Sequence, residues 1–431
     1  MTSKKKSLIL NTGWMTFQQI ISLLISFIIG PISARFLQPE NYGLLSYGNT
    51  IVVLLSALAL LGINSVLVRE LIANPMKTKE LLGTAFALRL TASIVCFFIS
   101  IICVVILQPD NKLLWIIVAI QATVLLFQVY DVFVAWFQTQ LKMKYVSIAL
   151  IIVKLVTALW QIVILSFHTS VVFFAMTSSI GSFIGCILIY YFFRKSNTHF
   201  KWTFSQAKYL LGKSYHFIVS NLAVVIYMQI DKIMIAEMLN YSSAGVYEVA
   251  TNLATIWQFI PIAIIDSART VVLEKKSENN DEYYKYLKMS MNLITILCVL
   301  ICLVFVFGGS YIVYLLYGEE YVDAAPSLKI LVWATMISML GCVRSIWILG
   351  DELGKYDKYF TVSAAILNVI LNYILIYKMG IIGAAVSTLI SYFYEVFIAP
   401  LLFKETRKFI PLYISSFKEL PNILKVLKKD K

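Results

Sequence analysis

The 431-residue sequence predicts an all-α polytopic membrane protein of about 12 transmembrane helices, and three observations carry that expectation. The chain is 60% hydrophobic and only 14% charged. Its apolar stretches each reach the about 20 residues that cross a hydrocarbon core about 30 Å thick at 1.5 Å per residue. Basic residues gather in alternate connections between those stretches.

The spans fall at 11–37, 44–65, 83–107, 113–137, 146–166, 171–192, 214–238, 245–268, 288–308, 327–349, 359–377 and 381–403. The first is too long for a signal-peptide core and has no small-residue cleavage site, so it reads as a helix. The net charge of +13 invites a nucleic-acid reading, but its distribution argues otherwise. Lys4 to Lys6, Arg69 to Lys79, Lys142 and Lys144, Arg194 to Lys213, Arg269 to Lys288, Lys355 and Lys358, and Lys404 to Lys431 all lie in alternate connections. The connections between them hold little beyond Arg35, Lys112, Lys329 and Lys378, and one carries Glu319, Glu320 and Asp323. That alternation predicts cytoplasmic termini, an even number of spans and anionic lipid as the neighbour of the basic loops. The six cysteines fall inside spans without CxxC spacing, and His168, His199 and His216 are too scattered for a metal site.

The longest polar connections are 193–213 and 269–287, and the longest outer loop is 309–326. Trp202, Phe204 and Tyr209 among lysines place the first of these along the membrane surface. It also divides the chain into an N-terminal six-helix bundle with linker (1–210), a C-terminal six-helix bundle (211–403) and an amphipathic tail (404–431) broken at Pro411 and Pro421. The tail mixes Phe409, Ile410, Leu412, Phe417, Leu420, Ile423, Leu424 and Leu427 with lysines, which suits an interfacial segment or a partner-binding one. The two halves share a frame: Phe36 to Leu44 and Met238 to Val246 are each a span end, a short polar loop and a glycine, and the frame sets Asn64 opposite Asp266. Both copies follow an outward-running span, so the relation is a parallel repeat about the membrane normal, an arrangement used for alternating access.

Ionisable side chains inside spans are costly and therefore candidates for function. Lys154 lies near the midplane of its span and Glu395 near the middle of the last. Asp231 and Lys232 lie in the outer half of span seven, while Arg89, Asp131, Asp266 and Arg344 sit within two turns of the cytoplasmic ends. Long side chains near an end can snorkel to the interface, and Arg89 can neutralise Asp131. A Lys154–Glu395 pair is a further structural alternative. As neighbours on a helix, Asp231 and Lys232 point in different directions, one to a cavity and the other to a helix or the headgroups. The candidate substrate-binding cations are Lys154, Arg89, Lys232 and Arg344, and the candidate ion-coupling carboxylates are Glu395, Asp231, Asp131 and Asp266. Cations of this kind bind phosphate, and a carboxylate beside them exchanges a proton or sodium ion. No P-loop, GxSxG or HExxH motif is present, so no catalytic residue, metal or cofactor is expected.

Several local stretches resemble one family. They are Ala34-Arg35-Phe36-Leu37 to Asn41-Tyr42-Gly43, Leu61-Gly62-Ile63-Asn64 to Arg69-Glu70, and Trp136-Phe137-Gln138 to Lys142-Met143-Lys144-Tyr145. Ile230 to Ile235 with Ala244-Gly245-Val246-Tyr247, and Met379 to Thr388 before Glu395, complete the series in order. The chain thus resembles bacterial O-antigen and capsule repeat-unit flippases of the multidrug/oligosaccharidyl-lipid/polysaccharide exporter superfamily. The resemblance implies a V-shaped pair of bundles around a largely cationic central cavity in the inner membrane. It implies a cargo of undecaprenyl-diphosphate-linked oligosaccharide, coupling to an ion gradient, and a polysaccharide polymerase and chain-length regulator downstream. Two alternatives stand beside it: a drug or small-cation exporter of the same superfamily, and a membrane glycan polymerase. The exporter should bring acidic sites without cations, and the polymerase needs catalytic groups on an outer loop larger than 309–326.

Overall fold

A computed structural model describes residues 3–195 and 200–418, which form two compact units, Met1–Gln229 and Ile230–Lys431. Among the described residues, ten segments are long and apolar enough to cross a membrane. The first, Leu10–Ala59, is 50 residues long and contains a backbone break at Gln38 (φ 61°, ψ 163°), which makes it two crossings. Pro39 disfavours helical backbone at the residue before it. Gln38 answers by donating its side-chain amide to the Arg35 carbonyl at 3.0 Å. The expected polar loop is thus a single residue. With α8 (Phe204–Met238, 35 residues), long enough for a crossing of its own, the crossings number about twelve.

In the first unit, α1 (Ser3–Ala59) is followed by a stop at Leu61 and Gly62, both at positive φ, and then by α2 (Ile63–Ala73). The second crossing therefore ends earlier than the expected residue 65. A Cβ on Gly62 would lie 2.7 Å from Phe217 Cβ and 2.9 Å from the Ser214 carbonyl of α8, so conformation and packing both require glycine. Next come α3 (Thr78–Leu107) and α4 (Lys112–Phe127), then a 3₁₀ turn at Gln128–Tyr130 that re-aims the chain into α5 (Asp131–Thr139). α6 (Met143–Ser166) and α7 (Val171–Arg194) complete the set before α8. Ile63, Leu67, Leu82, Phe133, Trp136 and Phe193 are among the buried side chains of this unit's core.

The connection after α7 is anchored over its described part. Phe200 stacks on Phe86, Phe133 and Phe193, and the Lys201 amide donates to the Lys79 carbonyl at 3.1 Å. Trp202, Phe204 and Tyr209 are exposed. His199 lies outside the described residues.

The second unit holds the end of α8, α9 (Tyr241–Thr255), α10 (Phe259–Glu278), α11 (Asn280–Tyr317), α12 (Ala324–Gly350), α13 (Gly354–Met379) and α14 (Ile381–Phe393). A π-helical turn follows at Tyr394–Ile398. The polar stretch 269–287 is helical except at Asn279, whose side chain caps α11 by accepting from the Asp281 amide at 2.8 Å. Likewise the helices leave only residues 318–323 of the expected outer loop 309–326. The polar residues there extend helices beyond the apolar spans, because helix ends need no apolar side chains. The tail docks onto its unit as far as residue 418. Phe409 is buried in the core, and Asn292 and Ser416 exchange two hydrogen bonds of 2.7 and 3.0 Å. Leu420, Pro421, Ile423, Leu424 and Leu427 lie outside the described residues. Large apolar side chains such as Phe307, 83% exposed, cover the outside of the helices, as lipid contact demands.

Candidate functional site

Among the described residues, polar clusters interrupt the apolar helices in both units, and three of them hold the sequence-predicted candidates. In the first unit, α3 carries Arg89, 2% exposed. Its guanidinium donates to Asn64 Oδ1 of α2 at 3.0 Å and pairs with Asp131 Oδ2 of α5 at 3.5 Å. The stop at Gly62 and the turn at Gln128–Tyr130 are what bring Asn64 and Asp131 to that place. Arg89 therefore does not snorkel; it is held inside by the carboxylate that offsets its charge. Lys154 is half-buried at the middle of the 24-residue α6. Among the described residues of its unit it has no carboxylate partner.

In the second unit, Asp231 is buried and accepts three hydrogen bonds from neutral donors. Tyr247 of α9 reaches Oδ2 at 2.9 Å, Thr388 of α14 reaches Oδ2 at 2.7 Å, and Asn372 of α13 reaches Oδ1 at 2.6 Å. Asn372 also donates to Asn368 Oδ1 at 3.1 Å, while the buried Asn372 Oδ1 and Asn368 Nδ2 have no hydrogen-bond partner. Lys232 turns the other way, to Glu248 of α9, 2.6 Å from its Nζ. Both neighbours are buried against helices, so neither reaches the headgroups as the sequence allowed.

The third cluster surrounds Arg344 of α12, also buried. Its guanidinium lies over the Phe360 ring, 3.9 Å from Glu395 Oε1 and 3.4 Å from Asp357 Oδ1. It also donates to the Glu395 backbone carbonyl, which sits in the π-helical turn. A π turn shifts the carbonyl register of a helix, which is why such turns recur at functional sites. Thr361 donates to Glu395 Oε1 at 3.1 Å. Glu395 is thus paired with Arg344 within its own unit. Asp266 is exposed and pairs with Arg269 of its own helix at 3.1 Å.

Sequence reasoning missed Tyr247, Glu248, Asn368, Asn372, Asp357, Thr361 and Thr388 as members of these clusters. One signal was available: Asn368 and Asn372 are four apart in an apolar span, so they share a face. Among the described residues no group of three His, Cys, Asp or Glu side chains is arranged to hold a metal ion.

The fold defines a class, the multi-pass helical membrane proteins. The family model described as polysaccharide biosynthesis protein matches residues 8–269, and the chain belongs to that family. A second model, MatE, matches residues 217–374. The chain is 26% identical over 179 residues to a probable flippase, AglR, of Haloferax volcanii, covering 40% of this chain and 37% of the relative. It is 29% identical over 196 residues to a probable low-salt glycan biosynthesis flippase, Agl15, of the same organism, covering 44% of this chain and 40% of the relative. The chain thus spans about two fifths of the length of these curated relatives. In fold it is similar to the lipid II flippase MurJ in an inward closed conformation, with a TM-score of 0.72 and 15% identity over 97% of this chain and 93% of that one.

Proposed function

We propose that this chain is a flippase for lipid-diphosphate-linked oligosaccharides. In this reading it sits in the bacterial cytoplasmic membrane with both termini in the cytoplasm. It moves undecaprenyl-diphosphate-linked repeat units to the outer leaflet, where a polymerase and chain-length regulator build O-antigen or capsule. The observation that carries it is Lys154, a half-buried cation at the centre of a spanning helix, with no carboxylate partner among the described residues of its own unit. A diphosphate supplies the missing counter-charge, and a lysine meets phosphate as a point charge. Lys232, Arg344 and Arg89 are already offset by carboxylates, so Lys154 makes the primary contact.

Asp231 serves ion coupling better than Glu395, Asp131 or Asp266, because only its carboxylate is surrounded by neutral donors. One carboxylate with the oxygens of Thr388, Tyr247 and Asn372 offers a proton or an alkali cation a site. Neutralising Asp231 changes the hydrogen bonding that ties the end of α8 to α13 and α14, which links ion occupancy to helix packing. Alternating access of the two halves then carries the headgroup across while the lipid tail stays in the bilayer. The MatE match over 217–374 favours one competing reading, a small-cation exporter.

The test is reconstitution of the purified chain in liposomes with lipid-linked oligosaccharide and an imposed sodium or proton gradient. Gradient-stimulated flipping, with the stimulation lost in Asp231→Asn, is the expected result. Absence of flipping together with gradient-driven efflux of an organic cation would replace this reading with the exporter.

A further inference from the structure

The first unit contains a pocket of about 390 Å³ lined by Asn64, Val68, Asp131, Val134, Ala135 and Gln138. Its volume falls in the range of small-ligand sites. Asp131 is 31% exposed and reaches the pocket with a carboxylate whose Oδ2 is held from behind by Arg89. Arg89 itself is absent from the lining and is fixed by Asn64, so the pocket presents the carboxylate rather than the guanidinium. A phosphate entering here would meet a negative oxygen first. A neutral ligand rich in hydroxyls meets instead an oriented carboxylate acceptor and two side-chain amides that both donate and accept. Val68, Val134 and Ala135 supply an apolar face for C–H groups. Hydroxyls on one side and C–H groups on the other are the surface of a pyranose ring.

We propose that this pocket is a sugar subsite, which holds part of the cargo's glycan while the diphosphate is bound elsewhere. The inference rests on the flippase reading. It separates two tasks: Lys154 takes the charge shared by all lipid-diphosphate cargoes, and the pocket at Asn64, Asp131 and Gln138 reads the sugar. Gln138 is exposed at the rim, so its truncation leaves the Arg89–Asp131 pair and the core untouched.

The experiment measures binding of two lipids to the purified full-length chain by native mass spectrometry. One is undecaprenyl diphosphate without sugar. The other is the lipid-linked oligosaccharide accumulated by source cells that lack this chain. The wild-type protein is expected to hold the glycosylated lipid about tenfold more tightly, the effect of one or two added hydrogen bonds. Gln138→Ala should bring that ratio towards one without changing affinity for the sugarless lipid, and Asp131→Asn should lower the ratio as well. Lys154→Ala should weaken both lipids equally. Asp131→Asn removes the counter-charge of a buried arginine, so Gln138→Ala decides if that variant fails to fold. A ratio unchanged in Gln138→Ala, or equal weakening of both lipids, would overturn the subsite. Equal wild-type affinity for the two lipids would also overturn it and leave the flippase reading standing. A wild-type chain that binds neither lipid would remove both.

Discussion

A carboxylate buried among apolar helices persists only when its oxygens are offset or hydrogen-bonded, and two in the second unit solve this differently. Asp231 relies on Tyr247, Asn372 and Thr388, whereas Glu395 relies on Arg344. Different substitution patterns follow. Arg344→Met leaves Glu395 without its cation and is expected to cost about 3–5 kcal/mol, the usual penalty for an uncompensated buried charge. Adding Glu395→Gln to Arg344→Met should restore part of that loss. Thermal unfolding of the three variants in detergent checks this, and strictly additive losses would show that the two groups do not interact. For Lys154 the expectation lies in activity. Lys154→Ala should lower transport at least tenfold at unchanged membrane abundance, and normal surface glycan from that variant would refute its role.

At the scale of elements, the start of α8 is clasped to α2. Lys213 lies 2.7 Å from Glu70 Oε1, and Tyr209 and Asn74 add hydrogen bonds around the pair. The Lys213 hydrogen bond holds the Glu70 carboxyl below its ordinary range, and the same bond holds Lys213 above the ordinary lysine range. A depressed carboxyl contributes stability above its unfolded value, about 4.3 for glutamate, and loses it as pH falls through the lower folded value. A raised lysine contributes below about 10.4 and loses it as pH rises further. The clasp is therefore complete between about pH 5 and pH 10, and Glu70→Gln should flatten the decline of melting temperature on the acid side. A decline identical to wild type would show that the clasp contributes nothing. Gly83 of α3 gives a second expectation. A Cβ there would lie 2.6 Å from the Lys201 backbone nitrogen, so Gly83→Ala should cost about 1–3 kcal/mol by overpacking and release the Phe200 stack. Protease sensitivity near Lys201 reads that release, and unchanged sensitivity would contradict it.

Hydropathy and loop charge made the crossings legible, because a spanning helix pairs its backbone internally and shows as one long apolar run. They did not reveal where helices break. The stops at Leu61–Gly62 and Gln128–Tyr130 and the π turn at Tyr394–Ile398 are set by packing, such as Phe217 against Gly62, that no local pattern records. Depth along a span identified Asp231, Arg344 and Arg89 as residues needing explanation. The Arg89–Asp131 pair was legible too, but the partners of Asp231 were not, because Asn372 and Thr388 lie 141 and 157 residues from it in the chain. Polar stretches such as 269–287 misled as loops because charged helix ends outside a membrane resemble them in composition.

The most direct test of the central claim is the sidedness of lipid-linked oligosaccharide in cells depleted of this chain. Intact, unpolymerised repeat units trapped on the cytoplasmic leaflet, with surface glycan lost and both restored by the wild-type chain, is the predicted result. Repeat units that still reach the outer leaflet at the normal rate would contradict the flippase reading.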